Sequence, residues 1–176
     1  MKSRTKKIVL VIGIMAALYI FYVAIPRPIP PEILQVPNET LITKSEEVTV
    51  FDEQVSKISN ELHETLKKVD FHGHIFGLGL AAPQIGYNQR IIALKTSYGN
   101  YQTMVNPKII EMKWHLPWTE KCLSLNGRHF LKRYFWTKVQ YQNIEGNDRE
   151  EVIIGPRAAI LQQEIDHLNG ILISDY

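Results

Sequence analysis

The chain has 176 residues, of which 45% are hydrophobic and 22% are charged, a composition typical of a globular protein with one principal domain. Its formal charge of +2 is concentrated at the start, because Lys2, Arg4, Lys6 and Lys7 carry four positive charges and leave about −2 for the rest. This balance argues against a nucleic-acid-binding surface, and the single cysteine, Cys122, excludes a disulfide within the chain.

The first segment with a clear structural signature is an apolar run at residues 8–25. These 18 residues carry no charge, follow a basic flank at residues 1–7 and would span about 27 Å as a helix, close to the hydrocarbon thickness of a bilayer. A signal peptide would have a shorter apolar region, followed by a cleavage site of small residues. An organellar targeting signal would contain more Ser and Arg, and a core helix would carry a polar stripe that faces water. The run therefore predicts an uncleaved transmembrane anchor.

The charges around this run predict its orientation. A basic flank precedes it and only Arg27 follows closely, so the positive-inside rule places the N-terminus in the cytoplasm and the rest of the chain across the membrane. Residues 26–31 form a proline-rich linker, which we expect to be extended because proline fixes φ and removes donors. The folded domain is expected at residues 32–176.

Within that domain, the hydrophobic spacing predicts two helices with several strands between them. Residues 51–69 have apolar side chains at helical spacing, with Asp52 and Glu53 in the first turn. Turn signals separate short strands predicted at residues 90–95, 101–105, 108–112 and 137–143. A second helix is predicted from Ala158 to Gly170. This order predicts an α+β domain in which a helix packs on an antiparallel sheet.

The second helix carries part of a metal-binding motif, Gln163-Glu164-Ile165-Asp166-His167. Positions 163 and 167 lie one turn apart on the same face of a helix, so two side chains there can bind one metal ion, with Glu164 beside them as a base. The segment is the H-E-x-x-H pattern with its first histidine replaced by Gln163. Alone, the remaining E-x-x-H is a weak signal, because this spacing also occurs by chance on ordinary solvated helices.

Two further segments place this pattern in a context. Residues 77–86 read Gly-Leu-Gly-Leu-Ala-Ala-Pro-Gln-Ile-Gly, and residues 120–124 read Glu-Lys-Cys-Leu-Ser. With residues 162–167 they resemble, in the same order, the G-x-G-L-A-A-P-Q-x-G, E-G-C-x-S and Q-H-E-x-D-H motifs of peptide deformylases. The resemblance covers residues 33–176 and implies an α+β fold with antiparallel sheets packed around a C-terminal metal-site helix, here preceded by a transmembrane helix.

The resemblance implies a metal-dependent hydrolase of protein biosynthesis that removes the formyl group from N-formylmethionyl peptides and releases formate. It implies Fe²⁺ or Zn²⁺ as the cofactor, bound at the positions that match the family's ligands, namely Cys122, Gln163 and His167. Glu164 corresponds to the family's general base. Gln84 and the backbone N–H of Leu123 correspond to the groups that stabilise the oxyanion.

The family's peptide-binding cleft maps onto a small set of residues. Leu78 and Gly79 match one side of the cleft, and Ala159 and Ile160 match the wall of the methionine pocket. The chain departs from the family at Lys121, where deformylases have a glycine beside the substrate. A lysine there either narrows the cleft or points outward.

Replacement of a ligand histidine by glutamine is expected to weaken metal binding, because an amide oxygen is a poorer ligand for Fe²⁺ or Zn²⁺ than imidazole. Gln163 or a water can complete a site with Cys122 and His167, and a substitute nitrogen from His72, His74 or His129 is not expected. Three hypotheses stay open. The chain is a deformylase of full or reduced activity, an inactive module that binds formyl-methionyl peptides, or a membrane-tethered interaction protein.

Overall fold

The computed structural model describes residues 29–70 and 78–176, which form a five-stranded antiparallel sheet with a helix on each face. The strands lie side by side in chain order, as β1 Gly79–Ala81, β2 Ile91–Lys95, β3 Tyr101–Cys122, β4 Leu125–Gln142 and β5 Asp148–Ile154. The helices are α1 Glu39–Ile42, α2 Glu53–Val69 and α3 Pro156–Leu168, with short 3₁₀ turns at Ala82–Ile85 and Ile173–Asp175. The α+β architecture agrees with the sequence prediction, but the described strands form one sheet, whereas several sheets were expected.

Helix α2 forms where the hydrophobic spacing predicts it. Asp52 caps its N-terminus by accepting a 2.9 Å hydrogen bond from the backbone N–H of Gln54. Its apolar stripe is fully buried against one face of β1 and β2, and includes Ile58, Leu62 and Leu66. Burial of each such side chain contributes about 1.5–3 kcal/mol, so this stripe fixes α2 on the sheet.

The β3–β4 hairpin is much longer than the sequence predicts. The expected strands at residues 101–105 and 108–112 are one strand, because Asn106 marks a bulge with φ of 51° and a register shift, where a turn was expected. The Asn106 side-chain amide holds this bulge by exchanging hydrogen bonds of 2.9 and 2.8 Å with the backbone of Val48. Strand β4 also starts well before residue 137, and β5 was not predicted.

Helix α3 covers the opposite face of the sheet. Residues of β1 and β2 alternate between the two faces, so that Ala81 and Ile92 pack against α3 while Leu80 and Ile91 pack on the α2 side. The helix starts at Pro156, two residues before the predicted start, and it ends before Gly170, whose φ of 71° suits a helix end.

No helix within residues 29–70 and 78–176 is long and apolar enough to cross a membrane. The predicted transmembrane anchor at residues 8–25 lies outside the described residues, as do residues 26–28 of the proline-rich linker and Gly77 of the first motif.

Candidate active site

The second and third motifs meet where the end of β3 faces α3. Cys122 is the last residue of β3, and its Sγ lies 3.2 Å from Nε2 of His167 on the helix. Both side chains are buried, with exposed fractions of 7% and 1%. The strand and the helix thus bring together a thiol and an imidazole that lie 45 residues apart in the chain.

Gln163 lies one helical turn before His167, beside the same strand. Its side chain is buried, and its Nε2 donates a 3.3 Å hydrogen bond to the backbone carbonyl of Lys121. This contact leaves the amide oxygen as the atom of that side chain able to bind a cation. Lys121 itself is exposed between the buried residues Glu120 and Cys122, so its side chain points away from the site.

Glu164 is held close to β1 by a glycine. A Cβ added to Gly79 would lie 2.7 Å from Oε1 of Glu164 and 2.6 Å from Cγ2 of Ile160, so only glycine permits this approach of strand and helix. Glu164 is 4% exposed, and its Oε2 has no hydrogen-bond partner within the described residues. A buried carboxyl oxygen without a partner is energetically costly, so Glu164 is a candidate for a chemical role.

Gln84 reaches the site from the short 3₁₀ turn after β1. Its Oε1 accepts a 2.9 Å hydrogen bond from the backbone N–H of Ala81, which fixes the amide orientation. Its Nε2 then donates to Ser124 Oγ at 3.1 Å and faces Cys122 Sγ at 3.8 Å. The first motif therefore delivers an N–H donor to the thiol end of the site.

Ser124 was not predicted to have a role at the site. It is fully buried, and its backbone N–H donates a 3.3 Å hydrogen bond to Cys122 Sγ while its hydroxyl accepts from Gln84. Its position in the E-x-C-x-S motif was the available sequence signal. Leu123 lies in the same turn, half-buried, and its carbonyl accepts a 2.9 Å hydrogen bond from Gln35.

Arg133 joins the motif strand to the motif helix and was also missed from the sequence. It makes two hydrogen bonds to Glu120, of 2.9 and 2.8 Å, and one of 2.6 Å to Asp166 on α3. Tyr176 completes the cluster by donating from its hydroxyl to Asp166 at 2.9 Å. The only sequence signal was an arginine at an inward-facing strand position, between Leu131 and Val139.

Burial dominates the electrostatics of the site. It raises the pKa of Glu164 well above the usual carboxyl range, and the negative charge of Glu120 adds to this effect. Burial also raises the pKa of the Cys122 thiol to about 12, and it lowers the pKa of His167 to about 4, with a contribution from the Arg133 guanidinium. Without a bound cation, the thiol is protonated and the imidazole neutral at pH 7.

The predicted substrate-binding residues divide between the two sides of the sheet. Gly79 and Ile160 lie together beside Glu164. Ala159 is buried one helical turn before Gln163, on the same side of α3. The side chain of Leu78, in contrast, packs into the cluster on the α2 side, so only its backbone faces the same edge as Gly79.

The donor set fits a divalent transition-metal ion incompletely. A thiol and a neutral imidazole are good ligands for zinc or iron, and the amide oxygen of Gln163 is a weaker third one. Among residues 29–70 and 78–176, no three His, Cys, Asp or Glu side chains form a group that could hold a metal, so His129 does not supply the missing nitrogen. His72 and His74 lie outside the described residues.

Comparison with known proteins identifies the family. A family model described as polypeptide deformylase matches residues 30–176. The peptide deformylase of Desulfotalea psychrophila is 36% identical over 146 residues, which cover 80% of this chain and 83% of that protein. Peptide deformylase 1 of Bacillus cereus is 34% identical over 146 residues, which cover 81% and 89%.

Solved structures give the same result. The crystal structure of peptide deformylase from Thermotoga maritima matches with a TM-score of 0.71 and 35% identity, covering 81% of this chain and 94% of that one. The structure of a peptide deformylase from Legionella pneumophila matches with a TM-score of 0.73 and 33% identity, covering 81% and 83%. By sequence, fold and the meeting of its three motifs, the chain belongs to the polypeptide deformylase family.

Proposed function

We propose that this protein is a metal-dependent hydrolase that removes the formyl group from N-formylmethionyl peptides, with an activity reduced by Gln163. The observation that carries the proposal is the buried Oε2 of Glu164, which has no hydrogen-bond partner in the described part of the chain and lies near the Cys122–His167 pair. A fold that only needed this scaffold would gain stability by pairing or losing that carboxyl.

Each residue of the site has a distinct task in this proposal. Glu164 takes a proton from the attacking water at its free oxygen and returns it to the leaving amine, since burial has raised its basicity. Gln84 donates from Nε2 to the oxygen that gains negative charge on the formyl carbon, helped by the backbone N–H of Leu123. The hydrogen bond from Ala81 holds the Gln84 amide in the required orientation.

Cys122, His167 and the amide oxygen of Gln163 would hold the divalent ion, for which Fe²⁺ and Zn²⁺ suit the thiolate and imidazole ligands. When bound, the ion supplies Lewis acidity and lowers the pKa of water. The thiol must lose its proton on binding, so metal affinity should rise with pH.

The peptide lies along the edge of β1 in this proposal. Gly79 leaves room beside Glu164, and Ala159 and Ile160 form an apolar wall for the methionine side chain. Because Lys121 is exposed between two buried neighbours, it leaves the cleft open.

Membrane attachment is a separate part of the proposal. Residues 8–25 anchor the protein by a single span, and the charge bias places residues 32–176 outside the cytoplasm. On that side, formylated peptides released or exported across the membrane are the substrates, since ribosome-bound chains are absent there. A reporter fused after Tyr176 that is active on only one side of the membrane tests the orientation.

The deciding experiment measures formate release from a formyl-Met tripeptide by the full-length protein in detergent, purified without oxygen and loaded separately with Fe²⁺ or Zn²⁺. Release that requires both the ion and Glu164 supports a working deformylase. Absence of release from the wild type, with a gain on Gln163→His, means an otherwise intact site limited by one ligand. Absence of release from both variants overturns the proposal.

A binding module without turnover is the second candidate, favoured by one observation. The described residues contain no group of three strong metal ligands, and Gln163 is already hydrogen bonded to Lys121. This candidate predicts that a formyl-Met tripeptide binds equally well with and without a chelator, and more tightly than the unformylated peptide. Loss of binding on chelation would exclude it.

A further inference from the structure

One part of the sheet carries aromatic side chains on the side opposite α3, where Phe130 is exposed and Tyr134 and Trp136 are half-buried. In β4, Leu131, Arg133 and Val139 are buried towards α3, so the alternating residues between them lie on the other face. Helix α2 packs on that face over β1 and β2, and the face continues beyond the helix across β3, β4 and β5. We call this continuation the hairpin face, comprising Lys113, His115, Phe130, Tyr134, Trp136 and Ile154.

Several side chains of the hairpin face contact one another across the strands. The rings of His115 and Tyr134, which are paired across the strands, stack with centroids 4.5 Å apart. Lys113 Nζ lies 4.3 Å from the centre of the Trp136 ring, and Trp136 in turn pairs with Ile154 of β5. Phe130 is 78% exposed and Ile154 57% exposed, so no described element covers them.

Positive charge is concentrated in the β3–β4 hairpin. Residues 111–138 contain six cations and two carboxylates, a formal charge of +4, and the buried pair Arg133–Glu120 takes no part in the excess. Because the whole chain carries +2 and residues 1–7 carry +4, all the other residues together carry −6. Lys113, Lys121, Arg128 and Lys132 are exposed and Lys138 is half-buried. Glu111 pairs with Lys113 and Glu150 pairs with Lys138, so the excess charge comes mainly from Lys121, Arg128 and Lys132. The small net charge of the chain therefore conceals a cationic β3–β4 hairpin on an otherwise acidic domain.

We propose that the hairpin face docks on the surface of an anionic phospholipid bilayer. Tryptophan and tyrosine favour the membrane–water interface, flanking lysines and arginines are attracted to anionic headgroups, and exposed aliphatic side chains such as Ile154 lose contact with water there. An extended polyanion such as RNA fits less well, because the rest of the domain is acidic and would repel it.

The short linker also favours the bilayer as the partner of the hairpin face. The proposed anchor ends at residue 25 and the domain starts at residue 32, and six proline-rich residues span only about 19 Å in a polyproline II conformation. The inference rests on that anchor for proximity to the bilayer, but goes beyond the deformylase activity. Since α3 and the site lie on the opposite face of the sheet, docking leaves that face uncovered.

The tryptophans allow a direct test. All three tryptophans of the chain, Trp114, Trp118 and Trp136, lie in the β3–β4 hairpin, and only Trp136 belongs to the hairpin face. Full-length protein carrying Trp114→Phe and Trp118→Phe is reconstituted in phosphatidylcholine vesicles with or without phosphatidylglycerol. The measurement is quenching of Trp136 fluorescence by brominated lipids and, separately, by aqueous acrylamide. Co-sedimentation with the vesicles reports the anchor independently.

We expect brominated lipid to quench Trp136 several-fold more strongly in phosphatidylglycerol vesicles, and the difference to disappear in Lys113→Glu/Lys132→Glu. The matched control, Lys57→Glu/Lys67→Glu at exposed positions of α2, should show the same difference in quenching as the protein with both lysines unchanged. Lys113→Gln/Lys132→Gln, which should lose about half of the effect, guards against misfolding caused by charge reversal.

Three results would overturn the proposal. One is that acrylamide still quenches Trp136 fluorescence fully in the presence of anionic vesicles, although the protein sediments with them. Another is Trp136 shielded from acrylamide without any lipid, which would mean that the chain's own apolar residues cover the face. The third is protection by a structured RNA, sensitive to Lys113→Glu/Lys132→Glu, with none from vesicles.

Discussion

Two buried polar clusters join the β3–β4 hairpin to α3, and they differ in how completely their atoms are paired. In the first, Arg133 satisfies Glu120 and Asp166 with three short hydrogen bonds. In the second, Oε2 of Glu164 and Nδ1 of His167 are buried without partners among the described residues. Stability favours the first arrangement, and the second is what the proposed chemistry would require. We therefore interpret the Arg133 cluster as stabilising the fold and the Glu164 cluster as the proposed reaction site.

The largest effect is expected for Glu164→Gln. Because this carboxyl is the proposed proton carrier, formate release should fall by about 10²- to 10⁴-fold. The free energy of unfolding should stay equal or rise, because an unpartnered buried carboxyl is removed. Steady-state kinetics and urea unfolding measure the two quantities, with the exposed Glu150→Gln as control. Activity within about twofold of the wild type would refute the role.

Arg133→Met should have the opposite pattern. Removal of the guanidinium leaves Glu120 and Asp166 buried without a counter-charge, and the free energy of unfolding should fall by about 3–5 kcal/mol. Arg149→Met, on an exposed part of β5, should change it by less than about 0.5 kcal/mol. Urea titration followed by far-UV circular dichroism measures both. A loss below about 1 kcal/mol for Arg133→Met would mean that the cluster does not hold the hairpin to the helix.

Gly79→Ala is expected to disturb the packing of α3, the helix that contributes residues to both clusters. The added Cβ meets Ile160 and Glu164 at 2.6 and 2.7 Å, so overpacking should cost about 1–3 kcal/mol and displace the carboxyl. Gly86→Ala gives a useful contrast, since its φ is 89° but no atom lies within 4 Å of the added carbon. Both variants should lose stability, but only Gly79→Ala should also lose activity beyond its fraction unfolded.

Gln163→His should strengthen metal binding by about tenfold or more, because imidazole replaces an amide oxygen. Gln162→His is the matched control on the adjacent position. Gln162 bridges α3 to the backbone of Tyr134 by hydrogen bonds of 3.0 and 2.8 Å, so its loss should weaken folding without a gain in affinity. Competition with a chromogenic chelator measures affinity. Equal affinities for Gln163→His and wild type would show that position 163 is not a ligand.

The smallest effect is a pH dependence from a third polar group, on the α2 side. His63 lies 2.9 Å from the Thr103 hydroxyl, and burial, with the charge of Lys67 second, lowers its pKa. The unfolded chain therefore binds a proton at this residue before the folded protein does. Stability from this source is present above the unfolded pKa and is lost as the pH falls through and below it. Unfolding free energies measured from neutral to mildly acidic pH should fall less steeply for His63→Gln than for wild type.

The helices and the motif residues could be predicted from the sequence because their signals are local. Apolar spacing located α2 and α3 to within about two residues, and matched motifs indicated Gln84, Cys122 and Glu164. The hairpin could not be predicted, because the Asn106-Pro107 signal is typical of a turn and only the contact with Val48 makes it a bulge.

Contacts between distant residues account for the remaining surprises. Nothing local distinguishes Arg133 from the exposed cations near it until β4 turns it towards Asp166. The open question about Lys121 is answered by burial of its neighbours, which turns its side chain outward. The net charge of the chain likewise could not reveal the cationic hairpin, because it does not report where in the structure the charges lie.

Gly79 and Gly170, which allow close contacts around α3, also affect which substitutions this family can tolerate. Gly79 sets the distance from β1 to the helix, and a Cβ at Gly170 would lie 2.5 Å from the backbone oxygen of Ile42. These close approaches, which only glycine permits, help to position α3 at Ile160 and Glu164 and again just after its last turn. A lineage can therefore exchange the residue at 163, and with it the strength of the metal site, while inheriting the same geometry around Glu164.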